Sequence, residues 1–214
     1  MKNTLYGLLL LFSSQLIAQT QSTDHQRSTS NQQTILVFGD SLSAAYNIRQ
    51  EQGWVSLLQD LLIQKNRAVK VVNASISGET TSGGLERLEK QLRLHTPNII
   101  VLELGGNDGL RGFNLATTRD NLNQMVEMSI NHSSKVLLAG IQIPPNYGRT
   151  YTQRFSAIYT DLAKQPQVKL IPFILDQVAT KKEFMQPDGI HPNADGQPLI
   201  LKTVWQHLSP LLTN

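Results

Sequence analysis

Cysteine is absent from all 214 residues, which excludes disulfides and thiolate chemistry and leaves the redox compartment unread. Charge is also scarce. Charged residues make up 16% of the chain and the net charge is +3, or +2 once Lys2 is set aside with the leader described below. A balance that small and evenly spread argues against a nucleic-acid partner. Aromatics stand at 6%, few for the stacking platforms of a carbohydrate site. No apolar run reaches the roughly 20 residues of a membrane-spanning helix. The longest, Leu5 to Phe12, is broken by Ser13, Ser14 and Gln15, so no stable membrane insertion is expected.

That run has another reading. Lys2 supplies a positive start, Leu5–Phe12 an apolar centre, and Leu16-Ile17-Ala18 a place to cut after Ala18. Residues 1–18 are expected to be a signal peptide that takes the protein across the inner membrane to the periplasm. Residues 19–33 are polar, rich in Ser, Thr and Gln, and without periodicity, as in a disordered spacer. Residues 34–214 then form one domain, expected to be monomeric.

Within it, apolar runs alternate with amphipathic stretches. Ile35–Phe38, Val69–Asn73, Ile99–Leu104, Val136–Ala139 and Val168–Phe173 are nearly continuous and rich in Val, Ile and Leu. Such runs predict strands buried on both faces. Between them, Trp54, Leu57, Leu58, Leu61 and Leu62, then Leu85, Leu88 and Leu92, recur at helical spacing. Leu122, Met125 and Val126, and Phe155, Ile158 and Leu162, continue the pattern, and a last helix is expected from about 195 to 208. The alternation predicts an α/β fold, a parallel sheet covered on both faces, with its site at the carboxyl ends of the strands.

Four motifs fall at that edge. Gly39-Asp40-Ser41 follows the first strand, Gly78 the second, Asn107 the third, and Asp188-Gly189-Ile190-His191 the fifth. Ser41 at a strand-to-helix turn exposes its hydroxyl as a nucleophile, although alone it would read as a helix cap. Among five histidines, His191 has an acid, Asp188, within a tight turn, and so serves as general base with Asp188 as its orienter. The backbone N–H groups of Ser41 and Gly78 and the amide of Asn107 are oxyanion donors. Leu110 and Phe113, after Asn107, and Pro144 and Pro145 are candidates for the rim of an acyl pocket. The Gly-x-Ser-x-Gly elbow is absent, because Ser43 occupies its last position. So are both the G-x-G-x-x-G and Walker phosphate loops, which excludes a nucleotide-binding domain.

In this order and with these flanks, Phe38-Gly39-Asp40-Ser41-Leu42, Gly78-Glu79-Thr80-Thr81, Gly105-Gly106-Asn107-Asp108 and Asp188-Gly189-Ile190-His191-Pro192 resemble the SGNH (GDSL) hydrolase family. Gln142-Ile143-Pro144-Pro145-Asn146-Tyr147-Gly148 and Met185-Gln186-Pro187-Asp188 are similar to its bacterial secreted esterases, which include acyl-CoA thioesterases, lysophospholipases and arylesterases. The resemblance implies one three-layer α/β/α domain with a flavodoxin-like, doubly wound, five-stranded parallel sheet. It implies no metal and no cofactor. It also implies chemistry on Ser41, Gly78, Asn107, Asp188 and His191, toward acyl esters, acyl thioesters or lysophospholipids. Two rivals stand beside it: a carbohydrate O-acetyl esterase with the same catalytic parts, and a ligand-binding module with a vestigial triad.

Overall fold

Ile35, Leu36, Val37 and Phe38 lie wholly inside the computed structural model, which describes residues 32–212. They form the centre of β1 (Gln33–Gly39). The expected leader, and the spacer up to residue 31, fall outside the described residues; β1 begins at Gln33, one residue before the expected domain start. After β1 come α1 (Trp54–Gln64), β2 (Val69–Asn73), α2 (Thr81–His95), β3 (Ile99–Glu103), α3 (Gly106–Leu110), α4 (Leu115–Asn131), β4 (Lys135–Ala139), α5 (Arg149–Leu162), β5 (Val168–Ile171) and α6 (Gln197–Leu208).

All strand pairs are parallel, in the order β2-β1-β3-β4-β5. Because side chains alternate across a strand, the continuous apolar runs divide between two cores. Ile35, Val37, Ile99, Val101, Leu137 and Ala139 face Trp54, Leu58 and Leu62 of α1 and Ile200, Val204 and Leu208 of α6. Leu36, Phe38, Ile100, Leu102, Val136 and Leu138 face Leu88 and Leu92 of α2, Met125 and Val126 of α4, and Phe155 and Ile158 of α5. Both faces are covered, as the apolar patterning requires. Among the described residues, no helix is long and apolar enough to cross a membrane.

Strand order reverses between β1 and β3. The chain leaves β1 toward β2 on one side and returns to β3 on the other, which opens a crevice at their carboxyl ends. Two local features there differ from expectation. Ser41 does not lead directly into a helix. Residues 41–47 form consecutive turns, with Ala45 and Asn47 at φ 57° and 56°, and the first α-helix waits until Trp54. And Asn107 sits in a one-and-a-half-turn helix, α3, where the sequence pattern predicts none. Asp108 holds that helix to the start of α2, accepting from Thr81 N at 2.9 Å and Thr81 Oγ1 at 2.5 Å.

Candidate active site

Ser41, first residue of the turns after β1, points its Oγ at His191 Nε2, 2.9 Å away. His191 comes from the segment between β5 and α6. A short antiparallel bridge, Met185 with Pro192, pinches that segment into a tight loop. Gly189 turns within it at φ 69°, a left-handed conformation that glycine adopts without strain. The loop brings Asp188 Oδ2 within 2.7 Å of His191 Nδ1. Asp188 Oδ1 meanwhile accepts from the backbone N–H groups of Ile190 and His191, at 2.9 and 3.0 Å. Burial alone would raise the Asp188 carboxyl; the His191 backbone and ring and the Ile190 N–H outweigh it and hold it down at about 2. The acid is therefore an anion at neutral pH, fit to fix the imidazole tautomer.

Asn107 projects from α3 toward the same point. Its Nδ2 donates to Asp40 Oδ2 at 3.1 Å and to the Glu79 carbonyl at 3.0 Å, so both amide hydrogens have acceptors. Gly105 makes the turn into α3 at φ 111°, where a Cβ would stand 2.5 Å from the Tyr159 hydroxyl. Asp40 also caps the Ser41 turn, with Oδ1 accepting from Leu42 N at 3.0 Å. Gly78 has φ 80°, and its carbonyl accepts from Arg111 Nη2 at 3.2 Å. Arg111 thus ties the loop after β2 to the end of α3.

A cavity of about 540 Å³ opens beside Ser41. Asn107, Leu110, Ile143, Pro144, Pro145, Phe173, Leu175, Met185 and His191 are among its lining residues. Leu110, Pro144 and Pro145, singled out from the sequence, line it. Phe113 does not. It is 45% exposed and outside the cavity lining, just past Gly112, which sits at φ 67°. Gly78 also lies outside the lining residues.

Three residues near the triad receive no role in the sequence reading. The Tyr46 ring lies 4.4 Å from the His191 ring, tilted 38°, and covers one face of the imidazole. Gln186 clamps the two loops together: its Nε2 donates to the carbonyls of Tyr46 and Pro192, at 2.9 and 3.0 Å, and its Oε1 accepts from Asn47 Nδ2 at 3.0 Å. Glu103, fully buried at the end of β3, accepts from Ser43 Oγ at 2.8 Å. Glu103 carries a local signal, a lone acid in the apolar run Ile99–Leu104.

Known proteins resemble the chain over most of its length. The model of the GDSL-like Lipase/Acylhydrolase family matches residues 37–199. Esterase TesA of Pseudomonas aeruginosa is 49% identical over 180 residues, 84% of this chain and 90% of that protein. The Vibrio mimicus arylesterase is 46% identical over 81% of this chain and 87% of its own length. Thioesterase 1/protease 1/lysophospholipase L1 of Escherichia coli is 45% identical over 85% of this chain and 86% of its own. Among solved structures, the psychrotrophic esterase EstA from Pseudoalteromonas, inhibited by monoethylphosphonate, superposes with a TM-score of 0.79 at 40% identity. That match covers 85% of this chain and 99% of EstA.

Proposed function

Because the chain belongs to the GDSL-like lipase/acylhydrolase (SGNH) family and is a carboxylic ester hydrolase, we propose that it works through an acyl-enzyme on Ser41. Ser41 Oγ attacks the acyl carbonyl while His191 Nε2 takes its proton. Asp188, on Nδ1, keeps the imidazole in the tautomer that presents a lone pair to Ser41 and stabilises the imidazolium that forms. The developing oxyanion meets the backbone N–H groups of Ser41 and Gly78 and the Asn107 amide. Asn107 supplies its hydrogen by loosening one of its two present bonds. The imidazolium then protonates the leaving alkoxide or thiolate. Water, deprotonated by His191, releases the acid and restores Ser41.

The observation that carries this reading is the unbroken relay Ser41 Oγ–His191 Nε2 and His191 Nδ1–Asp188 Oδ2, at 2.9 and 2.7 Å. For the substrate, the largely apolar lining of Leu110, Ile143, Phe173, Leu175 and Met185 suits a fatty-acyl or aryl group. Acyl esters, acyl thioesters and lysophospholipids share that chemistry, and the names of the Escherichia coli and Vibrio mimicus relatives support it. A carbohydrate O-acetyl ester is disfavoured, since Trp54 is fully buried and neither Trp54 nor Trp205 lines the cavity. Residues 1–18 would act as a leader delivering the domain, as a monomer, to the periplasm.

Incubation with a serine-directed phosphonate tests the reading. Mass spectrometry should place a single adduct on Ser41, with hydrolysis of p-nitrophenyl esters lost in proportion. Labelling elsewhere, or activity surviving a fully occupied Ser41, would reject it. A panel of p-nitrophenyl esters, acyl-CoAs and lysophospholipids then ranks the substrates.

A further inference from the structure

Glu103 has no place in the acyl-transfer scheme, yet it lies directly behind it. Its Oε2 accepts from Ser43 Oγ at 2.8 Å and from Asp40 N at 3.3 Å. Its Oε1 is buried and receives no donor. A carboxylate kept from water with one oxygen unsolvated is costly unless that oxygen carries a proton. A partner for such a proton is at hand: Asp40 sits against Glu103 through its own N–H, and the two acid side chains share a hydrogen bond.

The backbone is shaped to admit both acids. A Cβ at Gly39 would stand 2.5 Å from Glu103 Oε2, and one at Gly106 would stand 3.2 Å from Asp40 Oδ2. Two like charges so close and so dry do not both ionise. Burial, then the Asp40 charge, push Glu103 well above its ordinary 4.5, and burial pushes Asp40 up to about 6. The other titratable groups nearby do not neutralise the pair. Tyr159, wholly buried, donates its hydroxyl to the Leu104 carbonyl at 2.9 Å, Asp108 is engaged by Thr81, and His191 lies on the Ser41 side.

Building on the acyl-transfer reading of the site, we propose that Glu103 is a neutral acid that shares its proton with Asp40, so that the pair carries one negative charge and acts as a positioning device for the oxyanion site. The charge rests on Asp40, whose two oxygens hold Leu42 N, beside the nucleophile, and the Asn107 amide. Glu103 itself touches no reacting atom. It fixes Asp40 from behind, and Asp40 fixes two groups next to the oxyanion position. The lone acid in an apolar strand thereby gains a role that neither packing nor the triad supplies.

Infrared spectroscopy and steady-state kinetics on the full domain test this together. The folded wild-type enzyme at pH 8 should show the carbonyl stretch of a protonated carboxylic acid, and Glu103→Gln should lack it. Glu103→Leu, which cannot donate, should lower kcat by about 10²-fold with KM little changed, the size of effect expected when a catalytic group is misplaced. Glu103→Gln, neutral, similar in shape and able to donate, should restore most of that loss. Absence of the acid band from the wild type would overturn the shared proton, even if Glu103→Leu failed to fold. A Gln variant as slow as a folded Leu variant, or a Leu variant as fast as wild type, would overturn the positioning role. The band is read without substrate. A failure of the acyl-transfer reading would leave it in place and remove only the kinetic differences.

Discussion

Ser41 and His191 are 150 residues apart in the chain, and the sheet edge closes the gap to 2.9 Å between Oγ and Nε2. Ser41→Ala should therefore abolish ester hydrolysis, with a loss of about 10⁴–10⁶ in turnover. The fold should persist, because the bond given up is the one to His191 rather than a contact within either core. An unchanged melting temperature together with more than about a tenth of wild-type activity would exclude Ser41 as the nucleophile.

Asn107 gives a different signature. Its amide serves charge that develops only on the way to the transition state, so Asn107→Ala should lower kcat by about 10²–10³ with little change in KM. A rise in KM at constant kcat would instead make it a substrate-binding residue.

Asp188 supplies a pH dependence. Its folded-state value of about 2 lies below the ordinary 3.8, so the native state binds this proton less tightly than the unfolded chain. The stabilisation is fully present above about pH 4 and is lost as pH falls toward about 2. The stability difference between wild type and Asp188→Asn, measured by urea denaturation from pH 5 to pH 2, should shrink across that window. At neutral pH the same variant should lose on the order of 10⁴ in turnover through the wrong imidazole tautomer. A stability difference that does not vary with pH would show that His191 and the two N–H groups do not hold Asp188 as an anion.

Glu103 acts in the opposite sense. Its folded-state value is raised, so the native state holds the proton more tightly than the unfolded chain does. Stability then falls as pH rises above the ordinary 4.5, by up to about 1.4 kcal/mol per pH unit for one proton. Glu103→Gln has no such proton, and its stability relative to wild type should improve steadily between pH 5 and pH 8. Parallel pH profiles for the two proteins would mean that Glu103 ionises as readily folded as unfolded.

These groups differ in how visibly the sequence announces them. The central strands are legible because burial on both faces demands apolar side chains throughout, so Ile35–Phe38 and Ile99–Leu102 stand out without an alternating pattern. The edge strands β2 and β5 admit exposed Lys70 and Lys169 and are marked by the Val, Ile and Leu around them. Ser41, Asn107, Asp188 and His191 are legible because each follows a strand at one edge. The turns at 41–47 are not, since their shape depends on Asp40 capping Leu42 and on two left-handed residues, Ala45, for which that conformation is disfavoured, and Asn47, which tolerates it. Helix α3 is equally hidden. Gly106-Asn107-Asp108-Gly109 has low helical propensity, and it is held by Asp108 on Thr81, a tertiary contact 27 residues away. Gln186 is harder still, because its partners Tyr46 and Asn47 lie about 140 residues upstream. Phe113 shows the opposite error. It sits close to Asn107 in sequence, yet it is half exposed and lies outside the cavity lining.

That last difference decides how acyl-chain selectivity should respond to mutation. Leu110 lines the cavity and Phe113 does not, although both follow Asn107 within six residues. Each acyl methylene that enters an apolar pocket contributes about 0.8 kcal/mol, or roughly fourfold, until the space is filled. Kinetics on p-nitrophenyl esters from acetyl to palmitoyl should therefore climb in kcat/KM by small steps to an optimum and then level. Leu110→Trp takes volume from the ≈ 540 Å³ cavity and should move the optimum to shorter chains, leaving acetyl ester turnover nearly intact. Phe113→Ser should leave the optimum in place, since its ring is half exposed outside the cavity. If Phe113→Ser shifts the profile and Leu110→Trp does not, the acyl chain runs over the outer surface beyond Gly112 rather than between Leu110 and Pro144.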